Sequence, residues 1–182
     1  MKPKTLLIAA ALALVANTAG AETDLMGEAR QWSVAFVHEK LPAYCRLSWD
    51  SALGTTVEFR ESLDDIVWVV SRNGWSIPEG TTTTVSVIGQ KNTISVPAEY
   101  FDPNSLRLWN VSAKKNRGGI QAVIRNALNG SPDLELDFQG DEPNLTVPLS
   151  RAWQLQSTFD ACIKRLSSTA YEKVAGPTTT PF

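Results

Sequence analysis

Alternating apolar and polar positions dominate the first half of the chain and predict β-strands. Residues 45–49 alternate with Cys45 on the apolar side, and residues 57–59 repeat the pattern after a turn. The run 66–70 is β-branched and aromatic on both sides, which predicts a strand with little exposure. Residues 81–88 continue as a strand rich in threonine and valine. Together these runs predict an antiparallel β structure.

Residues 68–88 form the centre of the predicted fold. Asn73-Gly74 supplies turn chemistry, and Ile77-Pro78-Glu79-Gly80 supplies a second bend, because the residue before proline favours extended backbone and glycine tolerates positive φ. We therefore predict a hairpin-like unit whose two strands flank a corner that carries Trp75.

The first residues after position 21 leave helix and strand open. Residues 32–37 alternate as a strand does, but the apolar positions from Leu25 to Phe36 also fit a helical spacing. We favour a strand at 32–37 and leave the rest of 22–40 undecided. Further along, short strands are predicted at 93–96, 106–111, 134–138 and 145–149. Proline in the last of these predicts an edge strand.

Two stretches have helical periodicity. Apolar residues recur at three and four positions over 119–129, and Asn129-Gly130-Ser131-Pro132 ends the pattern. After Ser150, a plausible N-cap, an apolar stripe that includes Cys162 predicts a helix near 151–167. The predicted fold class is α+β, predominantly antiparallel β-sheet or sandwich, with these two helices.

The first residues predict export. Lys2 and Lys4 precede an apolar run from Leu6 to Ala16, and Ala19-Gly20-Ala21 supplies an A-x-A cleavage site. We predict a signal peptide that is cleaved after Ala21, and hence a periplasmic or secreted protein. No run reaches the roughly 20 apolar residues that a transmembrane helix needs.

We predict that residues 22–170 form a single domain and that residues 171–182 are a disordered tail. Cleavage after residue 21 would leave 15 basic against 19 acidic side chains, a net charge of about −4. Because a mildly acidic domain is a poor match for polyanions, nucleic acid and anionic membrane are disfavoured as partners.

Cys45 and Cys162 are the only cysteines, and export would place them where disulfides form and persist. A bridge between them would close a loop of about 117 residues, which restricts the unfolded chain by roughly 4–5 kcal/mol. Two free or redox-active thiols are the alternative, but no C-x-x-C spacing supports them. We therefore predict a structural disulfide.

Several short motifs along the chain resemble one known family. They are, in chain order, Trp32-x-Val34, Cys45, the turn from Trp75 to Gly80, Leu134-Glu135-Leu136 after a short helix, Pro148-Leu149-Ser150 and Phe159-Asp160-Ala161-Cys162. Together they resemble the invasion-associated locus B family of small exported proteobacterial proteins, over most of residues 30–166. The chain departs from it in having two cysteines where the family usually has more. It also has Ser150-Arg151-Ala152 where related chains tend to have a glycine after the serine.

The resemblance implies a disulfide-tied β-sandwich in the periplasm. Some members of the family are associated with host invasion, which would make the envelope or a host surface the place of action. The family has no established catalytic residues that could be carried over to this chain.

Candidate catalytic residues are few. His38 is the only histidine, so a histidine-rich metal site is excluded, and no Gly-x-Ser-x-Gly elbow accompanies it. Carboxylate pairs for acid-base work could be drawn from four acids in turn-like surroundings, where solvated acids are common: Asp64, Asp65, Asp141 and Glu142. We predict no catalytic, metal or cofactor site.

Two surface features are candidates for binding. Lys114, Lys115 and Arg117 cluster in one loop, which we interpret as solvated; a contact with an acidic partner or a lipid headgroup is the alternative. Trp75 and Trp109 neighbour turns and are candidate ligand contacts, because exposed aromatic side chains anchor peptide or glycan ligands. For both tryptophans we favour packing across the open ends of a sandwich, with ligand contact as the alternative.

The predicted function is a non-enzymatic binding or interaction module for a protein or glycan of the envelope or a host. Two alternatives stay open: a hydrolase of an envelope polymer that works through the acids and His38, and an inhibitor of a secreted enzyme. No cofactor is predicted for the leading function, and the oligomeric state is left open.

Overall fold

The computed structural model describes residues 22–38, 42–89, 93–112, 118–130 and 132–174. Within these ranges the chain forms ten strands, two α-helices and a short 3₁₀ helix. The elements are β1 (Glu22–Ala29), β2 (Trp32–His38), β3 (Tyr44–Asp50), β4 (Thr55–Glu61), β5 (Asp65–Arg72), β6 (Thr82–Ile88), β7 (Thr93–Asp102), β8 (Ser105–Ser112), α1 (Gly118–Leu128), β9 (Leu134–Phe138), β10 (Leu145–Val147), the 3₁₀ helix (Ala152–Leu155) and α2 (Gln156–Val174). The predicted α+β class is confirmed.

All strand pairs in the described ranges are antiparallel, and they form one sheet in the order β1-β2-β3-β4-β5-β8-β7-β6-β9-β10. Strands β1 to β5 follow one another as a meander. Strands β6, β7 and β8 form a second meander, which returns so that β8 lies beside β5. The four neighbouring strands β5, β8, β7 and β6 therefore have the spatial order of a Greek key.

The hairpin predicted over residues 68–88 is wrong. Strand β5 pairs with β4 and β8, whereas β6 pairs with β7 and β9. The backbone of the connection bonds elsewhere: the amide of Asn73 donates to the carbonyl of Gly54, and that of Ile77 to the carbonyl of Pro103. The bends at Gly74 and Pro78 therefore carry the chain across the end of the β7–β8 pair.

The undecided region 22–40 forms two paired strands, β1 and β2, as far as it is described. The strand favoured at 32–37 is confirmed. Strand β1 lacks a clean period of two, because its register with β2 shifts between Leu25 and Gly27. Gly27 also lies under α2, where a Cβ would come within 3.2 Å of a Thr158 methyl group. The pairing with β2 makes this segment a strand, and the bulge and the contact of Gly27 with α2 are features that the local sequence does not reveal.

Both predicted helices are present. The C-terminal one was predicted near 151–167, whereas the structure has a 3₁₀ helix followed by α2, which ends at Val174. The predicted N-cap at Ser150 is not there, because the residue before the 3₁₀ helix is Arg151, which makes no side-chain capping bond. Helix α2 runs to Val174, so the tail predicted at 171–182 overlaps its last turn. No glycine or proline occurs between Gln156 and Gly176, so nothing in the sequence stops the helix earlier. Residues 175–182 lie outside the described residues.

The sheet curls around a single core. In a flat sheet β5 and β9 would be four spacings of about 4.8 Å apart, or roughly 19 Å. Yet Arg72 at the end of β5 is ion-paired with Glu142, which follows β9. The two edges of the sheet also meet. Trp32, in β2 next to one edge, donates from Nε1 to the carbonyl of Pro148, which follows the edge strand β10, at 2.9 Å. Apolar side chains from all ten strands and both helices consequently share one core.

The predicted disulfide is confirmed. Cys45 in β3 is bonded to Cys162 in α2, with their Cα atoms 5.8 Å apart and both residues fully buried. The bond fastens the C-terminal helix to the sheet and is consistent with an extracytoplasmic location. In the described part of the chain, no helix has both the length and the apolar character needed to cross a membrane.

Arg165 fastens the same helix to the first two strands. Its Nη2 donates to Asp24 Oδ2 at 2.6 Å, and its guanidinium carbon lies 4.2 Å from the centre of the Phe36 ring. The hydrogen bond from Arg165 lowers the pKa of Asp24 below its ordinary value, and the nearby His38 acts in the same direction. Asp24 therefore reports on whether α2 is docked.

We expect Arg165→Gln to raise the pKa of Asp24 toward its ordinary value, measured by an NMR pH titration of the Asp24 carboxyl. A lowered carboxyl pKa stabilises the fold above the ordinary value, about pH 4, and this stabilisation is lost as the pH falls through the lowered pKa. Urea unfolding should therefore separate variant and wild type at pH 7 more than at pH 3. Lys164→Gln, one residue away and exposed, is the control. An unchanged titration of Asp24 in Arg165→Gln would contradict the assignment.

Candidate functional site

The candidate ligand contacts from the sequence are only partly placed by the structure. Trp75 lies in the β5–β6 connection with its ring edge-on to Phe138 at 5.6 Å, and it is packed against the core. Trp109 belongs to β8, but its side chain lies outside the described part of the structure. The basic cluster at 114–117 also lies outside the described residues. A ligand contact at Trp75 or Trp109 stays a prediction.

The structure disperses the candidate acids and the histidine. His38 ends β2, with its Nε2 atom 3.5 Å from Asp24 Oδ2. Two of the acids, Asp64 and Asp65, lie between β4 and β5 or at the start of β5, and the other two, Asp141 and Glu142, lie in the β9–β10 connection. Neither described pocket contains His38. Among the described residues, no three His, Cys, Asp or Glu side chains group as metal ligands would.

The outward side of the sheet carries an open pocket of about 230 Å³, which we call the outer pocket. Five adjacent strands of the sheet each contribute at least one lining residue. In sheet order these are Tyr44 from β3, Arg60 from β4, Val67 from β5, Arg107 from β8 and Phe101 from β7. Pro42, Ser62 and Asp65 complete the described lining.

Strand alternation places these side chains outside the core. Arg60 lies between Phe59 and Glu61, both buried, and Arg107 lies between the buried Leu106 and Leu108. Since successive residues of a strand point to opposite faces, the two arginines must point away from the core. Apolar side chains that face inward thus fix the outward direction of the charged ones.

Two β-bulges border the outer pocket. The β5–β8 register shifts between Val67 and Trp68, where Trp109 is the extra residue of β8. The β7–β8 register shifts between Tyr100 and Asp102, which makes Phe101 the extra residue of β7. Bulges redirect a side chain and often occur beside functional sites. Phe101 is 41% exposed at this bulge, where it contributes an apolar wall.

Arg60 lies between two aromatic rings. Its guanidinium carbon is 5.6 Å from the centre of the Tyr44 ring and 5.3 Å from that of Phe101, within the range of cation–π attraction. Its Nε donates to Glu58 Oε2 at 2.7 Å, and Nη2 lies 2.5 Å from the same oxygen. The other Glu58 oxygen is 3.4 Å from Arg46 Nη1. These contacts hold the Arg60 side chain in one position.

Arg107 repeats the arrangement on the far side of the pocket. Its Nε donates to Glu99 Oε1 at 2.8 Å, and its Nη2 contacts the same oxygen. Each of the two arginines thus gives two donor nitrogens to one glutamate oxygen. Within the described residues, the Nη1 atom of neither Arg60 nor Arg107 has a hydrogen-bond partner.

A tight turn places the Asp65 carboxylate at one end of the pocket. The Ser62 amide donates to the Asp65 carbonyl at 2.8 Å, and the Asp65 amide donates to Ser62 Oγ at 2.8 Å. Both bonds hold the turn that joins β4 to β5. The outer pocket therefore combines arginine donors, a carboxylate, a hydroxyl and an apolar wall.

A second pocket lies between α1 and α2. It measures about 90 Å³ and is lined by Glu61, Ile124 and Phe159 among others. Its smaller volume and its place against the core helices suit packing rather than recognition. The outer pocket is the stronger candidate for a binding site.

Sequence reasoning singled out Asp65 as a candidate acid but missed the two arginines of the outer pocket. Arg60 lies between Phe59 and Glu61, and Arg107 lies between Leu106 and Leu108, in two strands that are far apart in the chain. Their only local signal is an outward charged position in a strand.

No family model, curated protein or solved structure matches the chain.

Proposed function

We propose that this chain is a non-enzymatic binding module of the periplasm or the secreted fraction, and that its ligand occupies the outer pocket. The observation that carries the proposal is the pair of arginines, held in place by glutamates and aromatic rings, that line one cavity. Pockets with a few fixed polar groups and an apolar wall are typical of ligand sites. The resemblance to the invasion-associated locus B family supports an association with the envelope or a host.

The composition of the lining supports binding over catalysis. Asp65 is the only carboxylate among the described lining residues, and that lining contains no histidine. Acid-base hydrolysis of a glycosidic bond uses two carboxyl groups that flank the bond. The acids Glu58 and Glu99 are engaged with arginines. Their positions favour a structural role, which is to fix the donors that meet a ligand.

We expect Arg107→Gln combined with Phe101→Ala to reduce the amount of captured partner at least tenfold. The substitution removes a charged donor and the apolar wall while leaving the core untouched. Immobilised chain 22–182 is incubated with periplasmic extract, and the bound molecules are quantified by mass spectrometry.

Arg72→Gln is the matched control for this experiment, because Arg72 also pairs with a glutamate, Glu142, but lies outside the outer pocket. Circular dichroism verifies that each variant is folded. Trp75→Ala/Trp109→Ala forms a further arm. Equal capture by wild type and the Arg107/Phe101 variant would refute the proposal. If only the Trp75→Ala/Trp109→Ala variant loses capture of the partner, the binding site is at those tryptophans rather than at the outer pocket.

A further inference from the structure

The unused donors of the outer pocket define what it can bind. An arginine carries five N–H donors in a planar fork. Arg60 and Arg107 each use Nε and Nη2 on a glutamate, and within the described residues their Nη1 atoms have no acceptor. Because both side chains line the same cavity, a guest there meets two guanidinium groups. Carboxylate and phosphate oxygens are the acceptors that such groups bind most strongly.

The local charge balance favours a guest with one negative charge. Among the described residues, three arginines of this outward surface, Arg46, Arg60 and Arg107, are matched by three carboxylates, Glu58, Asp65 and Glu99. A phosphate dianion would bring two charges toward those carboxylates, whereas a carboxylate brings one. Repulsion between like charges at short range therefore selects the carboxylate.

The remaining lining fits an apolar group and an N–H donor beside that carboxylate. Pro42, Val67 and Phe101 form the apolar part of the wall, and the Asp65 carboxylate offers an acceptor. The Tyr44 and Phe101 rings each have the Arg60 guanidinium over one face, which leaves less ring surface for stacking on a sugar. The volume of about 230 Å³ is below the roughly 300–1,000 Å³ of pockets that enclose a whole drug-sized ligand.

We propose that the outer pocket recognises the C-terminal carboxylate of a peptide whose last residue is apolar. The carboxylate binds the free donors of Arg60 and Arg107, the side chain packs on Val67 and Phe101, and the amide N–H of the last residue faces Asp65. This inference rests on the proposed function and names the chemical class of its ligand.

The test is an NMR titration of ¹⁵N-labelled chain 22–182 with N-acetyl-L-phenylalanine at constant ionic strength. We expect saturable shifts of the backbone amides of Val67, Phe101 and Arg107. N-acetyl-L-phenylalaninamide, which has the same shape without the charge, should bind at least tenfold more weakly. Arg107→Gln should weaken binding of the acid at least tenfold and leave that of the amide unchanged, and Arg72→Gln should change neither.

Each other outcome overturns a defined part of the inference. Equal binding of the acid and the amide at the outer pocket would refute carboxylate recognition and leave the proposed binding function standing. Glucuronate and inorganic phosphate are titrated in parallel. If either binds more tightly than N-acetyl-L-phenylalanine, recognition of a peptide C-terminus is refuted. If no probe shifts these amides, the inference is wrong. The capture experiment then decides separately whether the outer pocket binds a partner.

Discussion

Replacing both cysteines, Cys45→Ala/Cys162→Ala, is expected to lower the free energy of unfolding by about 4–5 kcal/mol. The bond closes a loop with a sequence separation of 117, and its loss returns that conformational freedom to the unfolded chain. Domains are typically stable by about 5–15 kcal/mol, so this loss would remove a large share of the total. Urea unfolding of the oxidised wild type and the double variant at pH 7 measures the difference.

Wild type with its disulfide reduced is the control that separates the cross-link from the packing of the sulfur atoms. Both cysteines are fully buried, so the alanine variant also loses core contacts. The reduced protein keeps both sulfur atoms but lacks the bond. If reduced wild type unfolds at the same urea concentration as the oxidised protein, the cross-link contributes nothing and the chain-entropy argument fails here.

The sequence predicted those parts of the fold that depend on local pattern or on elimination. Helix α1 lies within a residue of its predicted bounds, because apolar spacing and the Asn129-Gly130 stop are both local signals. Cys45 and Cys162 could pair only with one another within the chain. The β5–β6 hairpin was wrong because turn residues show that the chain bends but not which strand it meets afterwards. Pairing of β5 with β8 depends on residues more than 30 positions apart.

The candidate site lies beyond local pattern for the same reason. Alternation alone marks Arg60 and Arg107 as outward positions, which is true of most charged residues in strands. They line one cavity only because β8 returns to β5 and places β4, β5, β8 and β7 side by side. Phe101 reaches the pocket through a bulge, and a bulge depends on the pairing register. The same pairing of β8 with β5 that could not be predicted from the sequence therefore also brings the residues of the site together.

Trp32→Ala is expected to lower the free energy of unfolding by about 3–5 kcal/mol, the usual range for truncating a buried tryptophan. Trp32 is 2% exposed, and its ring is stacked on Phe59 with centroids 6.4 Å apart. Its Nε1 bond to the Pro148 carbonyl also connects β2 to the chain after β10, so the substitution loosens the contact across which the sheet curls. Urea unfolding at pH 7 measures the loss.

A comparison of two conservative variants isolates that connection from the packing. Trp68 is 1% exposed and packs on the same Phe59 ring, but its Nε1 has no hydrogen-bond acceptor among the described residues. Trp32→Phe removes a bonded N–H, whereas Trp68→Phe removes an unbonded one, so Trp32→Phe should be the more destabilising by about 1 kcal/mol. Equal losses would mean that the bond to Pro148 does not stabilise the curl and that core packing alone maintains it.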